Sequence, residues 1–531
     1  MPRFKHGIVV AAHPLAARAG VGILKKGGNA VDAAAATTLA LGTVAPAFSG
    51  IGGGGFGLIW LASEEKAIFV DFRERAPLAS KEDMFRVSRT GNVFRSGNSV
   101  GHRSVAVPGS VAGHSLMIGK YGKLRLRDAL EPAIRYARRG FEVSRTMAYV
   151  WRRSVSKLQA FRGSRAIYLK RGRPYREGDK IHLRDLAKSY RSIAGHGPDE
   201  FYNGRISKEI SEDMTSNDGQ LTPADLERYT PTIRDPIRGT YRDYEVISAP
   251  PPSSGGAIIL QTLNMLEGHP LKDLRHNSAE ALHLISETLM RSCSGIRPRI
   301  CDPDFSQIPM SELVSKDPAR KASASIMPDS ASSSIESSGI RSGDASNTSH
   351  LTVIDEEGNV VALTESVECY FGSGVVVPGT GILLNDTMHD FDAPRGRLNS
   401  VGPWKVPMSS MCPTLVMKDG RPFMAVGSAG ATRIVSSVLQ TILNILEFDM
   451  SPESAVAAPR IHTQDSLIQV ESGIESGSVE KLRGMGHLVE LKRPSSARLY
   501  FGGVHAALVR SESGELEGGA DPRRDGTALG Y

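Results

Sequence analysis

The 531-residue sequence predicts a layered α/β fold in which helices cover mostly antiparallel sheet. Three observations carry this. Two hairpins are visible, "HLTVI-DEEGN-VVALTES" and "PTLVMKDGRPFMAVGS", the second with Asp-Gly at its turn. Ile434, Val438, Ile442 and Leu446 recur every four residues with Val435, Leu439 and Leu443 beside them, which is a helix with one broad buried face. Helices and strands come first, then a serine-rich segment, then strands and helices again.

Taken in order, Ala30 to Val44 is an alanine-rich helix. The glycine cluster "SGIGGGGFG" follows, and "LIWLASEEKAIFVDFRE" reads as two strands around a Glu-Glu-Lys turn. Residues 124–140 form a helix ended by Gly140. Residues 256–267 and 278–292 have apolar spacings of three and four, and "PPPSSGG" is a rigid turn before the first of them. Residues 322–346 have low complexity and read as a mobile linker. No repeat of 20 to 50 residues is apparent.

Composition is that of a globular chain, 40% hydrophobic and 23% charged. The net charge of +7 is concentrated between Lys120 and Arg191. Acids interleave with these bases and aromatics are few, so a solvated helical surface outweighs a nucleic-acid patch. The cysteines, Cys293, Cys301, Cys369 and Cys412, have no CxxC spacing and no histidine cluster in sequence, which argues against zinc and for free thiols. The N-terminal apolar run is broken by His13 and Pro14 and is too short for a secretory core, so a cytoplasmic setting is expected, and no 18-residue apolar run implies a membrane span.

Two motifs fail on context. "GIGGGG" fits the dinucleotide fingerprint, but that fingerprint needs a strand before it and a helix after it, and here the order is reversed. The useful reading is close backbone approach. "GNSVG" fits the nucleophile elbow but has no apolar strand leading in.

The informative boundary is "SNTSHLTVID". A floppy run stops at Asn347 and alternating, strand-like sequence starts at Thr348. A hydroxyl nucleophile needs a base, and an N-terminal threonine supplies its own α-amine. That amine titrates at about 7.7–8.0, near the pH where general-base catalysis works best. Cleavage between Asn347 and Thr348 would create it. An ordinary threonine opening a strand is the alternative reading of this residue taken alone.

"NTSHLTVID" resembles the processing site of the gamma-glutamyltransferases, a family of N-terminal-nucleophile hydrolases. "GGNAVDAAAA", "SGIGGGGFG", "DFRERAP", "VPGSVAG" and "PPSSGG" resemble that family's large subunit. "TGILLNDTMHDF", "PMSSMCPT", "GSAGATR" and "DPRRDG" resemble its small subunit, in the family's order and over nearly the whole chain. The resemblance implies an α+β fold, a four-layer αββα sandwich formed by both halves of one precursor. It implies self-cleavage into residues 1–347, with 322–347 as linker, and residues 348–531. The activity implied is cleavage or transfer of γ-glutamyl groups from amides such as glutathione, with no cofactor and no metal. The substrate would be a small molecule or peptide, each half would be the other's partner, and assembly of several copies stays open.

The resemblance also assigns roles. Thr348 is the nucleophile, Ser366 a hydroxyl that steadies it, and Gly430 and Ala431 the backbone donors of an oxyanion hole, at a helix start where amides point outward. Arg73 anchors the substrate α-carboxylate, as suits a guanidinium fork, with Ser409 and Ser410 beside it. Asp390 binds the α-amino group. Here the chain departs from the family: Glu368 stands for an asparagine, and Thr387 for a glutamine or glutamate. Glu368 and Asp390 together form the expected ammonium site. The segment 392–406 is shorter than the lid loop of many relatives, which implies an open pocket in which water competes well with other acceptors.

Overall fold

The structure, a computed structural model, describes residues 3–88, 93–332, 347–493, 499–510 and 512–531. Two antiparallel sheets form its centre. The seven-stranded sheet runs Thr527–Gly530, Ile8–Ala11, Ser349–Ile354, Val360–Ser366, Gly54–Leu61, Lys66–Phe72 and Thr232–Arg234. The six-stranded sheet runs Leu516–Ala520, Gly503–Val509, Arg421–Ala429, Thr414–Lys418, Tyr244–Ser248 and Ile237–Tyr241.

Alternation along the strands sorts side chains into layers. On the first sheet Val9, Ile59, Leu61, Leu351 and Val353 turn outward into one core with the helices Pro14–Leu24, Ala30–Val44 and Leu126–Arg139. Their neighbours Ile8, Val10, Leu58 and Trp60 turn inward and meet Val246, Val416, Val426 and Ala506 of the second sheet. The helices Gly255–Leu266, Ala279–Ile296 and Arg433–Leu446 close the far side. The four layers are therefore helix, sheet, sheet, helix, the αββα sandwich expected.

The helices start where local chemistry requires. Asn29 caps Ala30–Val44 by accepting from the amides of Val31 and Asp32, and the Asp32 carboxylate accepts from the Asn29 amide. Gly140, at φ 78°, ends Leu126–Arg139.

The strand order has a consequence for any cut at Asn347. Ser349–Ile354 and Val360–Ser366, from beyond the cut, lie between Ile8–Ala11 and Gly54–Leu61, from before it. The second sheet likewise joins Thr414–Lys418 to Tyr244–Ser248. The halves share both sheets, so cleavage would leave one body held by main-chain ladders and two cores.

The linker differs from the expectation at its start. Lys316–Ala324 is a helix, which takes in residues 322–324, and Ala331 donates its amide to Met485 O at 2.7 Å. The helix has Asp317 in its first turn, Lys321 in its last, and Ala319 buried, a local pattern that outweighs the serines following it. The rest of that reading, 333–346, lies outside the described residues. All four cysteines are buried free thiols. Among the described residues no helix is long and apolar enough to cross a membrane.

Candidate active site

Thr348 immediately precedes Ser349–Ile354, a strand flanked on both sides in the seven-stranded sheet. The antiparallel register pairs Ser349 with Glu365, which sets Thr348 opposite Ser366. Their hydroxyls lie 3.4 Å apart. Ser366 Oγ donates to the carbonyl oxygen of Asn347 at 2.7 Å, so it polarises the carbonyl of the Asn347–Thr348 peptide. Ser366 Oγ in turn accepts from the Glu368 amide at 2.8 Å, which fixes the direction of its hydroxyl. The Thr348 amide donates to Asn347 Oδ1 at 2.8 Å, and the Asn347 amide to Glu368 O at 2.7 Å. Asn347, Thr348 and Ser366 are all buried.

Arg524, to which the sequence reading gave no role, completes this constellation. Its guanidinium donates to Thr348 O at 3.0 Å and to Asn347 Oδ1. It is buried and stacks over the Phe48 ring at 5.2 Å. Its motif, "DPRRDG", was legible; its partner 176 positions away was not. Adjacent Arg523 does different work: it pairs with Glu471 and Asp521 and ties down the loop.

Gly430 and Ala431 occupy the turn between Arg421–Ala429 and Arg433–Leu446. Gly430 has φ 125°, and a Cβ there would meet Gly502 Cα at 2.8 Å, so both conformation and space demand glycine. Ala431 has φ 54°, a left-handed conformation that costs an alanine about 1 kcal/mol or more. The helix then begins with Arg433 and Ile434 donating back to the Gly430 and Ala431 carbonyls. The first glycine cluster also approaches closely: a Cβ on Gly53 would overlap Ser366 O.

A second group centres on Arg73. It follows directly on Lys66–Phe72 and is only 1% exposed. Its guanidinium contacts Asp390, lies 3.6 Å from Glu74 Oε2 and 3.9 Å from Glu368 Oε2. These carboxylates hold it in the cationic form against burial, which pulls the other way. Asp71, the other acid beside it in sequence, instead holds Arg234 at 2.8 Å. Arg73 Nε and Nη1 are buried without a hydrogen-bond partner among the described residues. A buried guanidinium with two donors unspent marks a place for an oxygen-bearing ligand.

Glu368 sits at φ 77° and is buried. Burial, then the Asp390 carboxylate, push its carboxyl well above the ordinary range, against the pull of Arg73. Glu368 and Asp390 are thus adjacent, with His389 close by. Thr387 goes elsewhere: its hydroxyl donates to Glu74 Oε1 at 2.9 Å, so it supports the acid beneath Arg73. Burial raises the Glu74 carboxyl to about 7, although Arg73 and the Thr387 bond lower it. Ser409 Oγ accepts from the Met411 amide at 3.1 Å, and Ser409 O accepts from Ser254 N at 2.9 Å. Ser410 is half-buried beside it. The 392–406 segment is closed on itself, with Lys405 Nζ donating to Leu398 O and Ser400 O.

The chain has relatives among known proteins over its whole length. The sequence model described as Gamma-glutamyltranspeptidase matches residues 16–531. The chain is 38% identical to the glutathione hydrolase proenzyme of Escherichia coli (strain K12), over 100% of this chain and 92% of that one. It is 36% identical to the acylase ACY 1 proenzyme of Pseudomonas sp. (strain SE83), over 98% of this chain and 93% of that one. The crystal structure of cephalosporin acylase from Bacillus halodurans superposes with a TM-score of 0.88 at 27% identity, covering 100% of this chain and 96% of that one. With a family match over nearly its whole length and these relatives spanning it, the chain belongs to the gamma-glutamyltranspeptidase family.

Proposed function

We propose that this protein is a self-processing N-terminal-nucleophile hydrolase that removes or transfers γ-glutamyl groups from amides such as glutathione. The observation that carries the reading is the peptide between Asn347 and Thr348. It is buried at the edge of a fixed strand, with Ser366 on the carbonyl to be attacked and Arg524 on both residues.

In processing, Thr348 Oγ bonds to the Asn347 carbonyl carbon and its proton passes to the departing nitrogen. Ser366 stabilises the oxyanion that forms. Water then opens the ester, freeing the Asn347 carboxylate and the Thr348 amine. Residues 1–347 become one piece and 348–531 the other. In turnover the Thr348 amine takes the proton of its own hydroxyl, directly or through a water. The oxygen attacks the γ-carbonyl, Gly430 and Ala431 donate to the oxyanion, and the amine product leaves with the proton. Water or an acceptor amine then releases the glutamyl group.

Recognition follows from charge. The substrate α-carboxylate takes the unspent donors of Arg73, while the α-ammonium sits between Glu368 and Asp390. Hydrolysis of γ-glutamyl-p-nitroanilide, compared with glutaryl-p-nitroanilide, tests this: the glutamyl compound should be the better substrate. A second reading, an acylase for another carboxylate-bearing acyl group, is favoured by Glu368. A carboxyl pushed up in pKa donates a hydrogen bond rather than holding an ammonium. Equal or faster cleavage of the glutaryl compound would establish that reading.

A further inference from the structure

Away from Thr348 and Arg73, the described residues contain a second buried group of ligating side chains: His283, Glu287 and His487. His283 and Glu287 are one turn apart on the helix Ala279–Ile296, so both project from the same face. His487 arrives from the other half of the chain, between the helix Ser476–Gly484 and the strand Leu488–Lys492. One ligand atom from each lies within 4.8 Å of the others.

We infer that His283 Nδ1, His487 Nε2 and a Glu287 oxygen form a binding site for a divalent cation of the zinc class, bridging residues on either side of the Asn347–Thr348 peptide. Two imidazoles and one carboxylate are a donor set suited to that ion, with water completing the tetrahedron.

The surroundings set the ligands as a metal site requires. His283 Nε2 lies 2.7 Å from Met327 O, and a carbonyl only accepts, so the ring proton sits on Nε2. That leaves the Nδ1 lone pair facing inward, 2.7 Å from His487 Nε2. A backbone carbonyl fixing the tautomer of a ligand histidine is the usual outer support of such sites. The carboxylate is oriented as well: Glu287 Oε1 accepts from the Ser332 amide at 3.0 Å, and Oε2 accepts from Ser332 Oγ at 2.5 Å. Arg291 lies 3.5 Å from Oε2 and offsets the carboxylate charge, so the attraction for the ion rests on the imidazole lone pairs and the carboxylate oxygen as ligands.

Two nitrogens on one tetrahedral zinc stand about 3.3 Å apart. Binding therefore opens the His283–His487 contact by roughly half an ångström and moves the His487 proton from Nε2 to Nδ1 through solvent. Met327 and Ser332 belong to the segment leading towards the cleavage site, and Ala331 is bonded to Met485. The ion would thus join the upstream tail, the helix Ala279–Ile296 and the 485–487 loop.

The test uses the purified full chain, stripped with a chelator, dialysed against zinc at micromolar concentration and assayed for bound metal. Cobalt(II) supplies a visible absorption band as a second readout. About one equivalent of zinc should bind, cobalt should give the visible band of a four-coordinate site, and both should weaken at least about tenfold in His487→Gln and in Glu287→Gln. His487→Gln tests the ligand that lies between regular elements, and circular dichroism on each variant separates lost binding from lost folding. Substoichiometric zinc in the wild type, or unchanged zinc and cobalt binding in both folded variants, would overturn the site.

Discussion

Replacing Ser366 by alanine isolates the chemistry of self-cleavage from the fold. Ser366 is 1% exposed, and its hydroxyl donates to the Asn347 carbonyl oxygen at 2.7 Å. Arg524 does not replace it, because its bonds go to Asn347 Oδ1 and Thr348 O. One preorganised donor at a developing oxyanion is worth about 3–4 kcal/mol, or roughly 10²–10³ in rate. The substitution also strips the Glu368 amide of its 2.8 Å acceptor, which costs about 1–3 kcal/mol of stability. That cost lies within the range a chain of this size tolerates while staying folded. The assay is a time course of precursor disappearance on a denaturing gel after synthesis in a cell-free system. The half-time should lengthen by at least a hundredfold, with circular dichroism of the folded state retained. A half-time within threefold of the wild type would refute the assignment of Ser366 to the carbonyl.

Other expectations follow from the same contacts. Arg73→Lys keeps the charge but loses the planar fork with its unspent Nε and Nη1, so KM for a γ-glutamyl anilide should rise tenfold or more with a smaller change in kcat. Ala431→Gly removes an alanine from φ 54° and should raise stability by up to about 1 kcal/mol, read as a higher urea midpoint. Glu74 has a folded carboxyl raised to about 7 from 4.5, so the folded state holds the proton more tightly. The sign is therefore destabilisation as pH rises: no cost below about 4.5, growing to about 3 kcal/mol above 7. Glu74→Gln should flatten the fall in stability between pH 4.5 and 7, measured by urea unfolding across that window.

What could be read in advance was set locally. The hairpins and the helices Ala30–Val44 and Arg433–Leu446 follow from turn chemistry, caps and period. Thr348 stood out because composition changes there over two residues, and the αββα layers followed from the resemblance rather than from periodicity. The short strands Ile8–Ala11 and Thr527–Gly530 left no such signal: four residues are too few to show alternation, and pairing with Ser349–Ile354 and with each other makes them strands. Arg524 could not be chosen over Arg523, because the two differ only in what the fold brings to them. Thr387 is similar. It occupies an expected binding position, yet the fold directs its hydroxyl at Glu74. Glu368 adopts φ 77° because its amide is held by Ser366 and its carbonyl by Asn347, a tertiary constraint invisible in propensity.

Everything proposed for turnover requires that Thr348 become a chain end and act from there. Intact mass spectrometry of the purified protein under denaturing conditions, before and after a γ-glutamyl anilide is added and rapidly quenched with acid, measures both at once. Two polypeptides are expected, one beginning at Thr348, with a glutamyl mass added to that one alone. A single uncut chain, or an acyl group carried anywhere except on Thr348, would contradict that requirement.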